Sequence, residues 1–300
     1  MAIKLGLTDI ADAKLGTTQV DKICLGSTEV WSNTPAPAIK ALKFSSTGAQ
    51  TLSANTSKLG TLTPSFEYSL DNGATWTSWN PTSAGATPIS FGSGTDLYLR
   101  GSNTVLAQLV GNTSTYFNFV FSTASPVFCS GNVMHLFDYT QDLTAFPDTS
   151  DTNAGLMSLF RSCSVLTTAP ELPATSSIPR YCYSATFINC TSLIEPPAIA
   201  ATGNLPANCC SSMFYGCTSL TKLPYLGGIT GGSQWGTYML ANCSLIKLSA
   251  TQVDEYQNEY RLGDITGMFS AFAGTGGTFT GTPTVQTYYT SNPIIGAPTS

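Results

Sequence analysis

Between Phe160 and Leu245 the chain repeats itself. The phrase Cys163-Ser-Val-Leu166 returns as Cys190-Thr-Ser-Leu193 and Cys217-Thr-Ser-Leu220, each 27 residues after the last. A shortened copy, Cys243-Ser-Leu245, follows 26 residues on by its cysteine. A unit of this length cannot bury an apolar face alone and must stack on its neighbours, so the fixed period predicts a solenoid. The columns follow from the alignment. Phe160, Phe187, Phe214 and Leu240 share one site, Cys163, Cys190, Cys217 and Cys243 a second, and Leu166, Leu193 and Leu220 a third. Pro170, Pro197 and Pro224 form a further column, as do Leu172, Ile199 and Leu226, while Ile178-Pro179 and Leu205-Pro206 open the next turn. In the irregular fourth copy Trp235 stands at the Cys209 position and Leu240 replaces phenylalanine.

The array has predicted ends. Leu143-Thr-Ala-Phe-Pro147 matches Leu166-Thr-Thr-Ala-Pro170, so a short capping repeat is expected from Gly131 onwards. Beyond the last copy, Val253, Tyr256 and Tyr260 fall on one face of a helix of which Ser249 or Thr251 would be the cap, which predicts a terminal capping helix. Residues 263–300 are rich in Gly, Thr and Pro and show little periodicity.

A second, shorter repeat opens the chain. Lys4–Ile10, Lys14–Val20 and Cys24–Val30 each offer Leu-Gly, a Thr two places after the Gly, and a β-branched residue. Leu5-Gly6, Leu15-Gly16 and Leu25-Gly26 are thus three equivalent turns between short strands, ended by Trp31. The module is either a small meander packed on the next domain or an attachment element that completes its core on a partner, since short strands are barely stable alone. Residues 33–38 read as a stiff Pro-Ala linker. Alternating runs at Ala41–Phe44, Ser65–Leu70, Thr75–Trp79, Asp96–Arg100 and Tyr116–Phe121 then predict the strands of a β-sandwich, with Asp71-Asn-Gly73 as a hairpin turn. Ser69 to Trp76 also fits the Asp-box pattern of sialidase propeller blades, a turn brace that is not catalytic, and one copy makes no propeller.

Nine cysteines leave an odd count and no Cys-x-x-Cys. The stacked thiols admit three readings: buried small hydrophobes, inter-repeat disulfides, or a metal ladder short of histidine and carboxylate ligands. Cys210 aligns with Tyr183 and is expected at the surface.

Charged residues make up 10% of the chain, against roughly 25% in an ordinary domain, and the net charge is −5 with no basic run. A phosphate backbone needs clustered Lys and Arg, so nucleic acid is not an expected partner. No stretch approaches the roughly 20 apolar residues of a spanning helix, so membrane insertion is not expected. Fifteen Phe, 13 Tyr and 4 Trp instead predict a folded, β-rich chain. With one histidine, His135, and no paired carboxylates about a sugar site, the residues nominate no catalytic group, cofactor or metal ligand, and a non-enzymatic protein is expected. The N-terminus lacks the apolar core of a secretory signal, which predicts retention in the cell or release by lysis within a particle.

Ser212-Met-Phe-Tyr-Gly-Cys-Thr-Ser-Leu220 and Ala169-Pro-Glu-Leu-Pro-Ala174 resemble the BspA-type leucine-rich repeats over roughly residues 131–248. Glu67–Trp76, Leu97–Gly101 and Ser130–Met134 look like the strand-rich lead-in that precedes such repeats in proteins of gut Bacteroidales and their phages. The opening decads, ending Ile23-Cys-Leu-Gly-Ser-Thr-Glu-Val-Trp31, resemble N-terminal attachment segments of phage structural proteins. Taken together, the chain resembles a virion fibre or decoration protein of a crAss-like phage. That resemblance implies a mainly β chain with some α, in four parts. Residues 1–33 would be a virion-attachment β-repeat and 34–128 an Ig-like β-sandwich. Residues 129–262 would be a leucine-rich-repeat-like solenoid with its capping helix, followed by the 263–300 segment. The implied attachment residues are Leu5, Gly6, Leu15, Gly16, Leu25, Gly26 and Trp31. The implied partners are phage capsid or tail proteins, other copies of the chain in a homotrimer, and a host surface glycan or protein. A bacterial cell-surface adhesin built of the same repeats is the alternative, and it would need an export signal.

Overall fold

The computed structural model describes residues 38–83, 86–173, 178–200, 205–221, 224 and 234–244 in full, with the backbone of further short strands. The chain is mainly β, and its described residues contain only two single turns of 3-10 helix, Thr56–Lys58 and Val133–Leu136. It divides into two units, Met1–Ile39 and Lys40–Ser300.

The described residues of the first unit form six strands, β1 (Lys4–Leu5), β2 (Thr8–Asp9), β3 (Lys14–Leu15), β4 (Thr18–Gln19), β5 (Lys22–Leu25) and β6 (Thr28–Ser32). They pair as three antiparallel hairpins with Leu5 opposite Thr8, Leu15 opposite Thr18 and Leu25 opposite Thr28. Each decad is therefore one hairpin. The turn glycines Gly6, Gly16 and Gly26, and linker positions 33–37, lie outside the described residues.

In the second unit, β7 (Leu42–Ser46), β8 (Gln50–Ala54), β9 (Phe66–Ser69), β10 (Thr77–Trp79), β11 (Ile89–Phe91) and β12 (Leu97–Gly101) come first. They are followed by β13 (Ala107–Val110), β14 (Thr113–Tyr116), β15 (Phe119–Phe121), β16 (Val127–Ser130) and β17 (Leu166–Thr168). One sheet runs in the order β10-β9-β12-β7-β16-β17 and a second runs β11-β8-β15. The alternation of Leu97-Tyr-Leu-Arg-Gly101 explains the layering, since Leu97 and Leu99 are fully buried while Tyr98 and Arg100 face outward. Phe44 of one sheet meets Phe119 and Phe121 of the other with centroids 5.6 and 5.7 Å apart. The Tyr116–Phe121 run expected as one strand is split between β14 and β15, because Phe117 leaves the ladder to pack at 4.9 Å from both Phe66 and Phe119.

Beyond β16 the chain forms stacked rungs built from turns. Along the first rung the amides alternate in destination. Leu156, Ser158, Phe160 and Ser162 donate to Cys182, Ser184, Thr186 and Ile188 of the next rung at 2.8–3.0 Å, while Met157, Leu159, Arg161 and Cys163 close four-residue turns within their own by bonding the carbonyl three positions back. The second and third rungs repeat the pattern, from Tyr183 N to Cys209 O through Gly216 N to Ala241 O. A helix would spend every amide internally; this backbone exports half of them, which is what ties rung to rung. The alternation requires a left-handed residue every fourth position: Ser158 and Ser162, Ala185 and Asn189, Ser212 and Gly216, Tyr238 and Asn242. Ser, Asn and Gly occupy most of these sites, where the conformation costs least.

The rung stack and the two sheets share one core. Strand β16 pairs with β17 in parallel, Val127 opposite Leu166, and Glu171 N donates to Gly131 O at 2.8 Å. Phe119 of β15 receives the Cys163 thiol and stands 5.2 Å from Phe160. Strands of the sheets thus occupy the place of the rung before Phe160, which the sequence assigns to a capping repeat of residues 131–147. The boundary expected at 128–129 has the same core on both sides. The reason is that Phe119 and Val127 continue the phenylalanine and leucine columns, so no separate cap is needed there.

The end of the array also departs from expectation. Thr251–Val253 (β20) and Glu259–Arg261 (β21) pair antiparallel, Gln252 opposite Tyr260, in place of the expected helix over Ser249–Tyr260. The β-branched Thr251 and Val253 and the aromatic Tyr260 favour strand over helix at those positions. Earlier in the chain, β18 (Gly203–Leu205) and β19 (Ile229–Gly231) form a parallel pair, Gly203 opposite Ile229. Residues 262–300 lie outside the described residues.

Candidate functional site

The residues expected to form the repeat core come together. Phe160, Phe187 and Phe214 stack at 5.4 and 5.5 Å with ring planes 7° and 3° apart. Leu166, Leu193, Leu220 and Leu240 are fully buried beside them. Each column thiol makes the same bond: Cys163 donates to Phe119 O, Cys190 to Phe160 O, Cys217 to Phe187 O and Cys243 to Phe214 O, at 3.0–3.2 Å. The cysteine column is a ladder of buried thiols that satisfies one phenylalanine carbonyl per rung, a role between hydrophobe and hydroxyl. The eight cysteines with described side chains are free and buried.

Cys210 is a correction, for it is fully buried. It belongs to an inward column of Leu156, Tyr183, Cys210 and Gly236, which runs beside another of Gly155, Cys182, Cys209 and Trp235. Large residues in one column face small ones in the other, Trp235 beside Gly236 and Leu156 beside Gly155. This compensation of volume fits the irregular fourth rung to the close packing of a core.

Burial raises the thiol pKa values of Cys129, Cys182 and Cys190 well above the ordinary value near 9, and that of Cys243 to about 12. A thiol whose folded pKa is raised stabilises the fold below its unfolded pKa and loses that contribution as pH rises. The stack should therefore weaken as pH climbs past about 9. At pH 8 the eight buried thiols should resist iodoacetamide in the native chain and react when urea unfolds it, as read by peptide mass spectrometry. Rapid native labelling at Cys190 or Cys217 would contradict the ladder.

The outer face of the six-stranded sheet carries the most organised surface chemistry. The Arg100 guanidinium lies 3.7 Å from the Trp76 ring centroid and 3.9 Å from that of Tyr139, distances that place one ring on each of its faces. Its Nε donates to Glu67 Oε2 at 2.9 Å, across the β9–β12 pairing. Both partners are partly exposed, so the pair organises the surface more than it stabilises the fold. One strand over, Lys43 pairs with Asp96 at 2.7 Å and points toward the Tyr98 ring. At the edge Asp142 takes Lys40 Nζ at 2.9 Å and His135 Nε2 at 3.0 Å, while His135 Nδ1 is buried without a partner among the described residues. No motif or spacing in the sequence predicts these pairs. The outward positions of Leu97–Gly101 are their only trace in the sequence, since every pair except His135–Asp142 joins residues 24 to 102 positions apart in the chain.

Next to this face the Asp-box turn is formed as a brace. Asp71 Oδ1 accepts from Thr75 N at 2.9 Å and Ser69 Oγ at 2.7 Å, and Oδ2 accepts from Thr75 Oγ1 at 2.6 Å. Trp76 Nε1 donates to Gly73 O at 3.1 Å, which orients the indole toward Arg100. The Thr75 hydroxyl and amide, then Ser69, hold the Asp71 carboxyl down at about 2. Because that pKa is depressed, the brace is complete above the ordinary carboxylate range and is lost as pH falls through about 2. NMR titration should place the Asp71 midpoint near pH 2, and Thr75→Ala should move it back toward 3.8. A wild-type midpoint near 3.8 would remove the brace.

Of the expected attachment residues, Leu5, Leu15, Leu25 and Trp31 lie on β1, β3, β5 and β6. Among the described residues no group of three His, Cys, Asp or Glu side chains is placed to hold a metal ion. The surface built here can stack against and hydrogen-bond a partner. No protein-family model matches the chain, and no curated protein or solved structure does either.

Proposed function

We propose that the chain is a non-enzymatic structural protein of a bacteriophage particle, a head or tail fibre or decoration protein. Residues 1–33 anchor it, and the larger unit is held outward for contact with a host surface. In this reading the two sheets are an Ig-like β-sandwich and the rung stack is a BspA-type leucine-rich-repeat solenoid.

The observation that carries the reading is the division into a small hairpin unit, Met1–Ile39, and one large unit beginning at Lys40. Three hairpins with strands of two to five residues are marginal alone. They gain a core by docking on a capsid or tail protein. The large unit supports the display role, because stacked rungs make an extended rigid surface from small repeated parts. Copies grouped about a threefold axis would multiply weak host contacts into avidity.

Cryo-electron microscopy and mass spectrometry of purified phage particles test the reading. The chain should be present in the particle, its density should match Lys40 onward, and removal of residues 1–33 should abolish incorporation. Light scattering of the purified chain should give three times its 31.5 kDa mass. Absence from particles, with presence on a bacterial surface, would overturn the reading in favour of an adhesin.

A further inference from the structure

Where β15 meets the first rung, a pocket of about 370 Å³ opens. Its polar lining is Asn55, Lys58, Tyr116, Asn118, Arg161 and Ser162, and no Asp or Glu contributes to it. The volume lies within the usual range of small-molecule sites.

The charge of this pocket is unusual for the molecule. Among the Lys and Arg residues with described side chains, Lys40, Lys43 and Arg100 are ion-paired and Arg180 lies over the Tyr181 ring. Lys58 and Arg161 remain. Neither has an acidic partner among the described residues, and both line this one pocket. In a chain of net charge −5 with only 12 basic residues, two unneutralised cations at one concavity form a local positive site.

The neutral groups are prepared as well. Asn118 is 4% exposed, and its Nδ2 donates to Phe119 O at 2.9 Å and Arg161 O at 3.0 Å. Those bonds fix the amide and leave Oδ1 with no partner among the described residues. The Asn55 oxygen accepts from Ser57 N and Ser57 Oγ, which leaves its Nδ2 unspent among the described residues. The same Asn118 bond ties the Arg161 carbonyl to the sheet, so the rung that carries the guanidinium is held in place. Val120, 36% exposed, and Phe121 add an apolar wall.

We infer that this pocket binds a carboxylate-bearing sugar unit of a surface glycan. Lys58 and Arg161 take the carboxylate, the Asn55 amide donates to a ring hydroxyl and Asn118 Oδ1 accepts from another, and Val120 with Phe121 covers an apolar sugar face. A polyanion such as nucleic acid is disfavoured, because the positive charge is confined to one concavity. The glycan class rests on the display reading above; the charge and shape of the pocket do not.

The test uses the purified full-length chain, so its failure leaves assembly into particles untouched and the two readings fail separately. Calorimetry compares trigalacturonic acid, neutral galactotriose and inorganic phosphate as probes. Trigalacturonic acid should bind, galactotriose should bind at least roughly tenfold more weakly, and added salt should weaken the acidic ligand alone. Arg161→Gln and Lys58→Gln should each cost roughly tenfold in affinity, with Arg161→Lys recovering part of it. Near-UV circular dichroism of each variant should match the wild type, since both side chains make no described protein contact that folding needs. Equal binding of acidic and neutral sugars, binding of phosphate alone, no binding of trigalacturonic acid, or unchanged affinity in both Gln variants would each overturn the assignment.

Discussion

Replacing Phe187 with alanine should destabilise the larger unit by about 3–5 kcal/mol. Phe187 is fully buried between Phe160 and Phe214, with near-parallel rings on both sides. Truncation removes an apolar side chain and both of its stacking contacts. The rungs cannot collapse into the void, because the backbone bonds from Phe187 N to Met213 O and from Phe160 N to Thr186 O hold their spacing. The same change strips cover from the thiol bond of Cys217 to Phe187 O. Urea unfolding read by tryptophan fluorescence gives the number. Ile194→Ala, at a site 46% exposed, is the control and should cost no more than about 0.5 kcal/mol. A loss below about 1 kcal/mol at Phe187 would mean that the stack does not form in solution.

Gly131→Ala should have the second-largest effect, about 3 kcal/mol or more. Gly131 has φ +88, and a Cβ built there would lie 2.6 Å from the backbone carbonyl oxygen of Ala41. Neither atom can yield, because Ala41 leads into β7, while the Gly131 carbonyl receives Glu171 N from the first rung. The substitution therefore strains the one residue where sheet passes into rung. Gly111 separates the two contributions, since it has φ +60 but nothing within 4 Å of a new Cβ. Gly111→Ala should cost only the backbone penalty, about 1 kcal/mol. If the two variants lose equal stability, the close approach at Gly131 is not present in solution. If Gly131→Ala loses more, hydrogen exchange should rise first at Glu171 and Val133, whose amides bridge this seam.

The candidate surface was less legible than the core for a physical reason. Burial leaves a strong mark on sequence, because every rung must offer the same shape to the next, and the Phe and Cys columns repeat accordingly. A surface cluster leaves almost none. Arg100 meets Glu67, Trp76 and Tyr139 only because two strands, a turn and a loop converge, and no spacing in the chain encodes that convergence. The Asp-box residues are the exception, since Ser69, Asp71 and Thr75 bond within a single turn.

The sequence by itself determined the stacking columns, the three N-terminal hairpins and most strands of the two sheets, because these depend on periodicity and on turns of a few residues. Cys210 shows the limit: its alignment with Tyr183 predicts exposure, whereas both side chains are buried in one column of the stack. Only the tertiary structure decided that Phe119 and Val127 complete the first rung, that Thr251–Val253 pairs as a strand, and that Lys58 and Arg161 share one pocket. Each of these depends on which distant segment supplies the missing hydrogen bond or apolar neighbour, and a repeat pattern carries no record of what lies beyond its own ends.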